Sequence, residues 1–96
     1  MGKLALSRKA GQSVTVSHED GGTYRVSVLQ ITGTSAKIRL TRLDGPQQAA
    51  DVHYEQFVQL PGGRMRVRNH RRYSDQVSLV FELTAEYRIL RSELKP

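Results

Sequence analysis

An all-β fold, an antiparallel sandwich or barrel of short strands, is what this sequence predicts, and two observations predict it. Apolar residues alternate with polar ones at period two through most of the chain. Turn-forming pairs punctuate those runs at the spacing of short strands: Ala10-Gly11, Asp20-Gly21-Gly22, Thr32-Gly33, Asp44-Gly45-Pro46, Pro61-Gly62-Gly63 and Ser74-Asp75.

The clearest strand is Ala36-Lys37-Ile38-Arg39-Leu40-Thr41, where Ala36, Ile38 and Leu40 share one face and Lys37, Arg39 and Thr41 the other. Before it, Leu4-Ala5-Leu6-Ser7-Arg8, Ser13-Val14-Thr15-Val16 and Tyr24-Arg25-Val26-Ser27-Val28 read the same way. After it come Arg64-Met65-Arg66-Val67-Arg68, Gln76-Val77-Ser78-Leu79 and Glu86-Tyr87-Arg88-Ile89. One segment, 47–57, has a helical reading, because Ala49, Ala50, Val52, His53 and Phe57 roughly share a face of a helix, short and weakly capped.

A chain of 96 residues fits one domain, since a chain this short buries only a little over ~60% of its unfolded surface. Hydrophobic residues at 38% and charged residues at 25% are ordinary globular composition, too apolar for a disordered chain. Lys and Arg outnumber Asp and Glu by 15 to 9, and the net charge of +6 favours a polyanionic partner. With no cysteine there is no disulfide framework, thiolate nucleophile or Cys-ligated zinc, which suits a reducing cytoplasm. No window approaches the ~20 apolar residues of a spanning helix, and Gly2 opens no lipidation motif, so the expectation is a cytoplasmic protein without a membrane partner.

The opening Leu4-Ala5-Leu6-Ser7-Arg8-Lys9-Ala10-Gly11-Gln12-Ser13-Val14 resembles the first strand, glycine turn and second strand of the carbon storage regulator family, also called repressor of secondary metabolites. Residues 24–42 continue the resemblance as its third and fourth strands, joined by a turn carrying Gly33. The chain is longer than the family's usual length, and the excess reads as a partial second copy. Residues 33–40 line up with 74–81, and each block leads to a stretch similar to the family's fifth strand, 51–57 and 88–94. On this alignment, 1–57 is a complete unit and 58–96 a second unit lacking a first strand. The resemblance implies a single-chain version of the family's intertwined dimer, an antiparallel β-sandwich or barrel of about nine short strands, five plus about four, and a monomer in solution. A single unit with a long hairpin insertion is the alternative, and it would form a homodimer.

The resemblance also implies a partner and a site: RNA with a GGA triplet in a hairpin loop or single strand, held between the first strand of one unit and the fifth of the other. Carried over, the site comprises Leu6, Ser7, Arg8 and Lys9 with Ile89, Leu90 and Arg91. Its physical logic is that single-stranded RNA exposes base edges to backbone groups and Arg forks, while phosphates reward nearby positive charge. Arg64, Arg66 and Arg68 fall on one face of one strand, with Arg71 and Arg72 beyond, a stripe able to track phosphates or simply to face solvent.

Enzymatic readings find no support. His18, His53 and His70 have no paired ligand spacing, no glycine loop precedes a Lys-Ser or Lys-Thr pair, and no serine sits in an elbow context. No catalytic residue, metal or cofactor is expected. The implied function is translational regulation in bacteria through mRNA leaders or small RNAs; the alternative is a protein-interaction module that pairs with or antagonises an ordinary subunit of the family. No long C-terminal helix of the kind usual in that family is expected from the residues up to Pro96.

Overall fold

A computed structural model describes residues 2–19, 22–42, 45, 47–70, 72–73 and 75–91, with the backbone alone for Leu90 and Arg91. Among these residues nine strands form two antiparallel sheets; the all-β class is the one the period-two alternation predicts, while β5 and β6 are not among its runs. They are β1 (Gly2–Lys9), β2 (Ser13–His18), β3 (Thr23–Ile31), β4 (Ser35–Arg42), β5 (Gln48–His53), β6 (Phe57–Leu60), β7 (Gly63–Asn69), β8 (Gln76–Leu83) and β9 (Tyr87–Arg91). The four-stranded sheet runs β1-β8-β7-β6 and the five-stranded sheet β5-β4-β3-β2-β9.

The alternation decides which side chains lie between the sheets. Val14 and Val16, Val26 and Val28, Ala36 and Ile38, Met65 and Val67, and Val77, Leu79 and Phe81 point inward and are buried together. Their polar neighbours point outward, as strand geometry requires. Such a core is nearly free of polar atoms, so burial itself is the main source of stability.

The order of strands contains an internal two-fold correspondence. Replacing β1, β2, β3 and β4 by β5, β6, β7 and β8 converts β1-β8-β7-β6 into β5-β4-β3-β2, which is the five-stranded sheet without β9. The turns repeat in detail. The Gln12 side chain accepts from Lys9 N and the Gln56 side chain from His53 N, at 2.9 and 3.3 Å. Gln12 N donates to Lys9 O and Gln56 N to His53 O.

Two expectations change. The segment 47–57 is not helical: β5 pairs with β4 through Ala50↔Ile38 and its neighbours. Only Val52 of the proposed helical face is buried, so that face had too little apolar surface to hold a helix against the core. The second change concerns the repeat. β5 lies against β4 as β1 lies against β8, so 48–53 holds the place of a first strand, where the sequence alignment makes 51–57 a fifth. The correspondence therefore begins anew after β4, and among the described residues the strand without a counterpart is β9.

Candidate nucleic-acid interface

β1 and β9 belong to different sheets, yet they come together at one edge of the sandwich. A cavity of about 210 Å³ joins them, lined by Lys3 and Leu4 from β1, Phe81 and Leu83 from β8, and Tyr87 and Ile89 from β9. The antiparallel ladder Val14↔Arg91, Thr15↔Leu90, Val16↔Ile89 fixes β9 on β2. β1 is paired with β8 and β9 with β2, so the two meet across the sheets through Lys3 and Leu4 beside Tyr87 and Ile89, while Ser7, Arg8 and Lys9 lie outside that cavity.

The residues expected there divide by environment. Leu6 is buried in the core, and Ile89 is half-buried against it. Ser7 is exposed on the outer face of β1, opposite Ser78. Lys9 is exposed, with its ammonium 3.8 Å from Asp75. Arg8 differs from the expected fork at the surface, being only 5% exposed. Its guanidinium donates to Ser7 O at 2.7 Å and to Ser13 O at 3.3 Å. The side chain crosses the β1–β2 turn and binds its two strands together. A buried cation is tolerable only with such partners, and here backbone carbonyls supply them. The side chains of Leu90 and Arg91 lie outside the described residues.

The arginine stripe occupies the outer face of the four-stranded sheet because Met65 and Val67 turn inward between its members. Arg64 stacks over the Phe57 ring at 3.9 Å and pairs with Glu82 at 3.2 Å. Arg66 is half-buried, 5.3 Å from the same ring and 3.5 Å from Glu55. Arg68 donates to the other oxygen of Glu55 at 3.1 Å. Arg72 is exposed beside Tyr73, and Arg71 lies outside the described residues. The stripe is therefore a set of arginines shared with carboxylate and aromatic partners, a geometry that holds the guanidinium planes in place.

Between this stripe and β1 lies a polar cleft of about 570 Å³ lined by Ser7, Glu55, Arg68, Asn69, His70, Arg72 and Ser78. Ser7, Ser78 and Arg68 form one cross-strand row, set by the registers Ser7↔Ser78 and Arg68↔Ser78. Hydroxyls next to guanidinium groups can take phosphate oxygens and sugar hydroxyls together. His70 shapes the cleft wall: its Nδ1 accepts from the amides of Arg72 and Tyr73, both at 3.1 Å. Sequence reasoning misses Ser78, Asn69 and His70, since a serine or histidine in an alternating strand or its turn carries no signal of which strand will lie beside it.

A second polar surface lies on the five-stranded sheet, where Thr15, Arg25, Ser27, Arg39 and Thr41 line a hollow of about 270 Å³. Its arginines are visible in the sequence as outward members of period-two strands. The other histidines have ordinary settings, His18 packing edge-on against Tyr87 at 4.6 Å and His53 being exposed. No helix among the described residues is long and apolar enough to cross a membrane. Comparison with known proteins adds no relative to this geometry: no family model, curated protein or solved structure matches the chain.

Proposed function

We propose that this chain is a non-enzymatic RNA-binding regulator, similar to the carbon storage regulator family, that takes GGA-containing single-stranded loops and blocks access to the RNA it covers. One observation carries the reading: β1 meets β9 through Lys3 and Leu4 in one cavity, and its Ser7 lines a polar cleft with Ser78, Arg68 and Arg72 on the outer face of the same sheet. Exposed backbone and side-chain groups at the edge would read the bases, and the cleft would hold the flanking phosphates. In this reading Arg8 positions β1 for the RNA, while Ser7, Lys9 and Arg68 contact it. The net charge of +6 supports association with a polyanion.

A titration of the purified chain with a GGA hairpin and with the same hairpin carrying a mutated triplet tests this. Specific binding weakens at least about tenfold on mutating the triplet, as the removal of one good base-edge interaction requires. Arg66→Ala and Arg68→Ala should weaken both RNAs alike and lower the salt dependence by about 0.7 log units for each phosphate that is no longer neutralised. Equal affinity for the two hairpins rejects GGA recognition. An unchanged salt slope assigns the stripe to solvent.

A further inference from the structure

β9 gives the first half of the correspondence something that the second half lacks. It pairs with β2 along the outer edge of the five-stranded sheet. β6 stands where β2 stands, and among the described residues nothing pairs with its outer edge. Burial records the difference. Val14 and Val16 are 0% exposed, while their counterparts on β6 are half-buried at Val58 and 8% exposed at Leu60. Leu6 is buried on β1, and Ala50 in the corresponding place on β5 is exposed. Between β5 and β6 the interior opens as a groove of about 100 Å³, walled by Ala50, Val52, Val58, Leu60, Ile38 and Met65. An unpaired strand edge beside an apolar groove offers both parts of recognition by strand addition, main-chain hydrogen bonds and pockets for alternate side chains.

We propose that the outer edge of β6 receives an extended strand from an acidic partner protein, antiparallel to β6 as β9 is to β2. The chemistry of the guest follows from its surroundings. Its inward positions correspond to Ile89, which packs against the core beside Val16, so alternate residues must be branched and apolar. Its outward positions lie near Phe57, over which the Arg64 and Arg66 guanidinium groups stack at 3.9 and 5.3 Å; Glu82 and Glu55 offset part of that charge, and the net charge of +6 keeps the surroundings cationic, so the outward residues are acidic. The same positive charge disfavours a second copy of this chain, whose net charge is also +6. With four residues in β6 and five in β9, the guest is short.

The test uses the whole chain and amide hydrogen exchange read by NMR, with three synthetic peptides. One alternates valine with glutamate, the second replaces each glutamate by lysine, and the third carries proline at its centre. The valine–glutamate peptide should slow exchange within β6 and bind at least about tenfold more tightly than the lysine peptide, since like charges brought together across an interface are strongly penalised. The proline peptide should not protect β6, because proline removes a ladder donor. Ala50→Glu, which places a carboxylate on an exposed wall of the groove, should weaken the first peptide at least about tenfold while leaving the spectrum of the free chain otherwise unchanged. Four results overturn the proposal: no protection of β6 by the first peptide, equal binding of the lysine peptide, unchanged affinity in a folded Ala50→Glu variant, or protection of β6 that grows with protein concentration alone. The last would assign the edge to a second copy.

Discussion

Glu55 takes, at φ 73°, the left-handed backbone conformation that Gly11 takes at φ 91°, and the two amides donate to corresponding carbonyls, Val67 O at 2.8 Å and Val28 O at 2.7 Å. For a residue with a Cβ this conformation costs about 1–2 kcal/mol. The same residue places its two carboxylate oxygens 3.5 Å from Arg66 and 3.1 Å from Arg68. An intramolecular anion thus sits on the arginines proposed to meet RNA phosphates.

The first prediction follows from that competition. In Glu55→Asn the backbone conformation remains accessible, because asparagine tolerates the left-handed region, while the carboxylate is removed. The exposed Arg68 pair contributes only about 0–1 kcal/mol, but Arg66 is half-buried and loses the carboxylate beside its Nε, so unfolding stability should fall by about 1–2 kcal/mol. Affinity for a GGA hairpin should rise and its salt dependence should steepen, because Arg66 and Arg68 are released to phosphate. Urea unfolding and RNA titration at several salt concentrations measure the two effects separately. Weaker binding in this variant would mean that Glu55 orients the arginines for RNA.

The strands and their inward faces are legible because alternation is a local property. Val14, Val26, Ile38, Val67 and Leu79 are all buried where the pattern places them. Register and partner choice are not local. The sequence around 51–57 resembles a fifth strand, but its pairing with β4 depends on which sheet edge is open once the chain has folded. A signal exists in the matched glutamines Gln12 and Gln56, which close the same turn, but the left-handed position is glycine in one turn and Glu55 in the other, and that difference conceals the repeat. Arg8 is hard to place for a related reason. Its position on the inward side of β1 is visible from Leu4 and Leu6, yet its charge argues for the surface. Two backbone carbonyls at the β1–β2 turn, invisible to side-chain patterning, make its burial possible.

The β6–β7 turn yields a second prediction, based on space. A Cβ on Gly62 would lie 2.0 Å from Cε2 of Tyr87, and Gly62 also has φ 85°. A Cβ on Gly63 would lie 2.0 Å from Glu82 O, a backbone atom held by the β7–β8 ladder. Around Gly33 there is nothing within 4 Å. Gly63→Ala should therefore cost about 3 kcal/mol or more, since the ladder itself must move. Gly62→Ala should cost about 2–3 kcal/mol, combining strain with displacement of the Tyr87 ring. Gly33→Ala should stay within about 0.5 kcal/mol. Thermal or urea unfolding of the three variants gives the ranking, and a harmless Gly63→Ala would show that β7 does not approach β8 this closely.

Alkaline pH supplies the third prediction. The Tyr24 phenol donates to Pro61 O at 3.3 Å. Burial, reinforced by nearby Tyr87 and partly opposed by Arg42, holds its pKa well above the ordinary 10.0. Below pH 10.0 the folded and unfolded chains both keep this proton, and its contribution is complete. Above that value the unfolded chain ionises while the folded chain does not, so stability falls, by up to about 1.4 kcal/mol per pH unit. Burial raises the Tyr54 pKa as well, with the same sign. Tyr24→Phe should lose about 1 kcal/mol at neutral pH through its missing hydrogen bond. It should also lose stability less steeply than the parent above pH 10.0, leaving the Tyr54 contribution. Urea unfolding from neutral to strongly alkaline pH measures both slopes, and identical slopes would place the alkaline titration elsewhere.

The last prediction concerns stoichiometry, and it rests on the strand without a counterpart. The proposed RNA edge needs β1 and β9 together, and β9 occurs once among the described residues. On the other side, β5 takes the place of β1, with Asp51, Val52 and His53 where Ser7, Arg8 and Lys9 stand. Asp51 is exposed there and repels phosphate, and Val52 offers no guanidinium to tie the turn. Among the described residues no strand lies beside β6 to complete an edge of the same kind. One GGA hairpin per chain is therefore expected. Lys9→Ala should weaken binding and lower the salt slope by about 0.7 if its ammonium meets one phosphate. Arg91→Ala, removing the arginine that the family resemblance assigns to base recognition, should cost about 1–3 kcal/mol of binding energy. Asp51→Ala and His53→Ala should leave affinity nearly unchanged, because they lie at the edge that lacks a partner strand. Titration calorimetry with a single GGA hairpin reads number and affinity together: two equivalent sites per chain, or full affinity in Arg91→Ala, would contradict the single edge formed by β1 and β9.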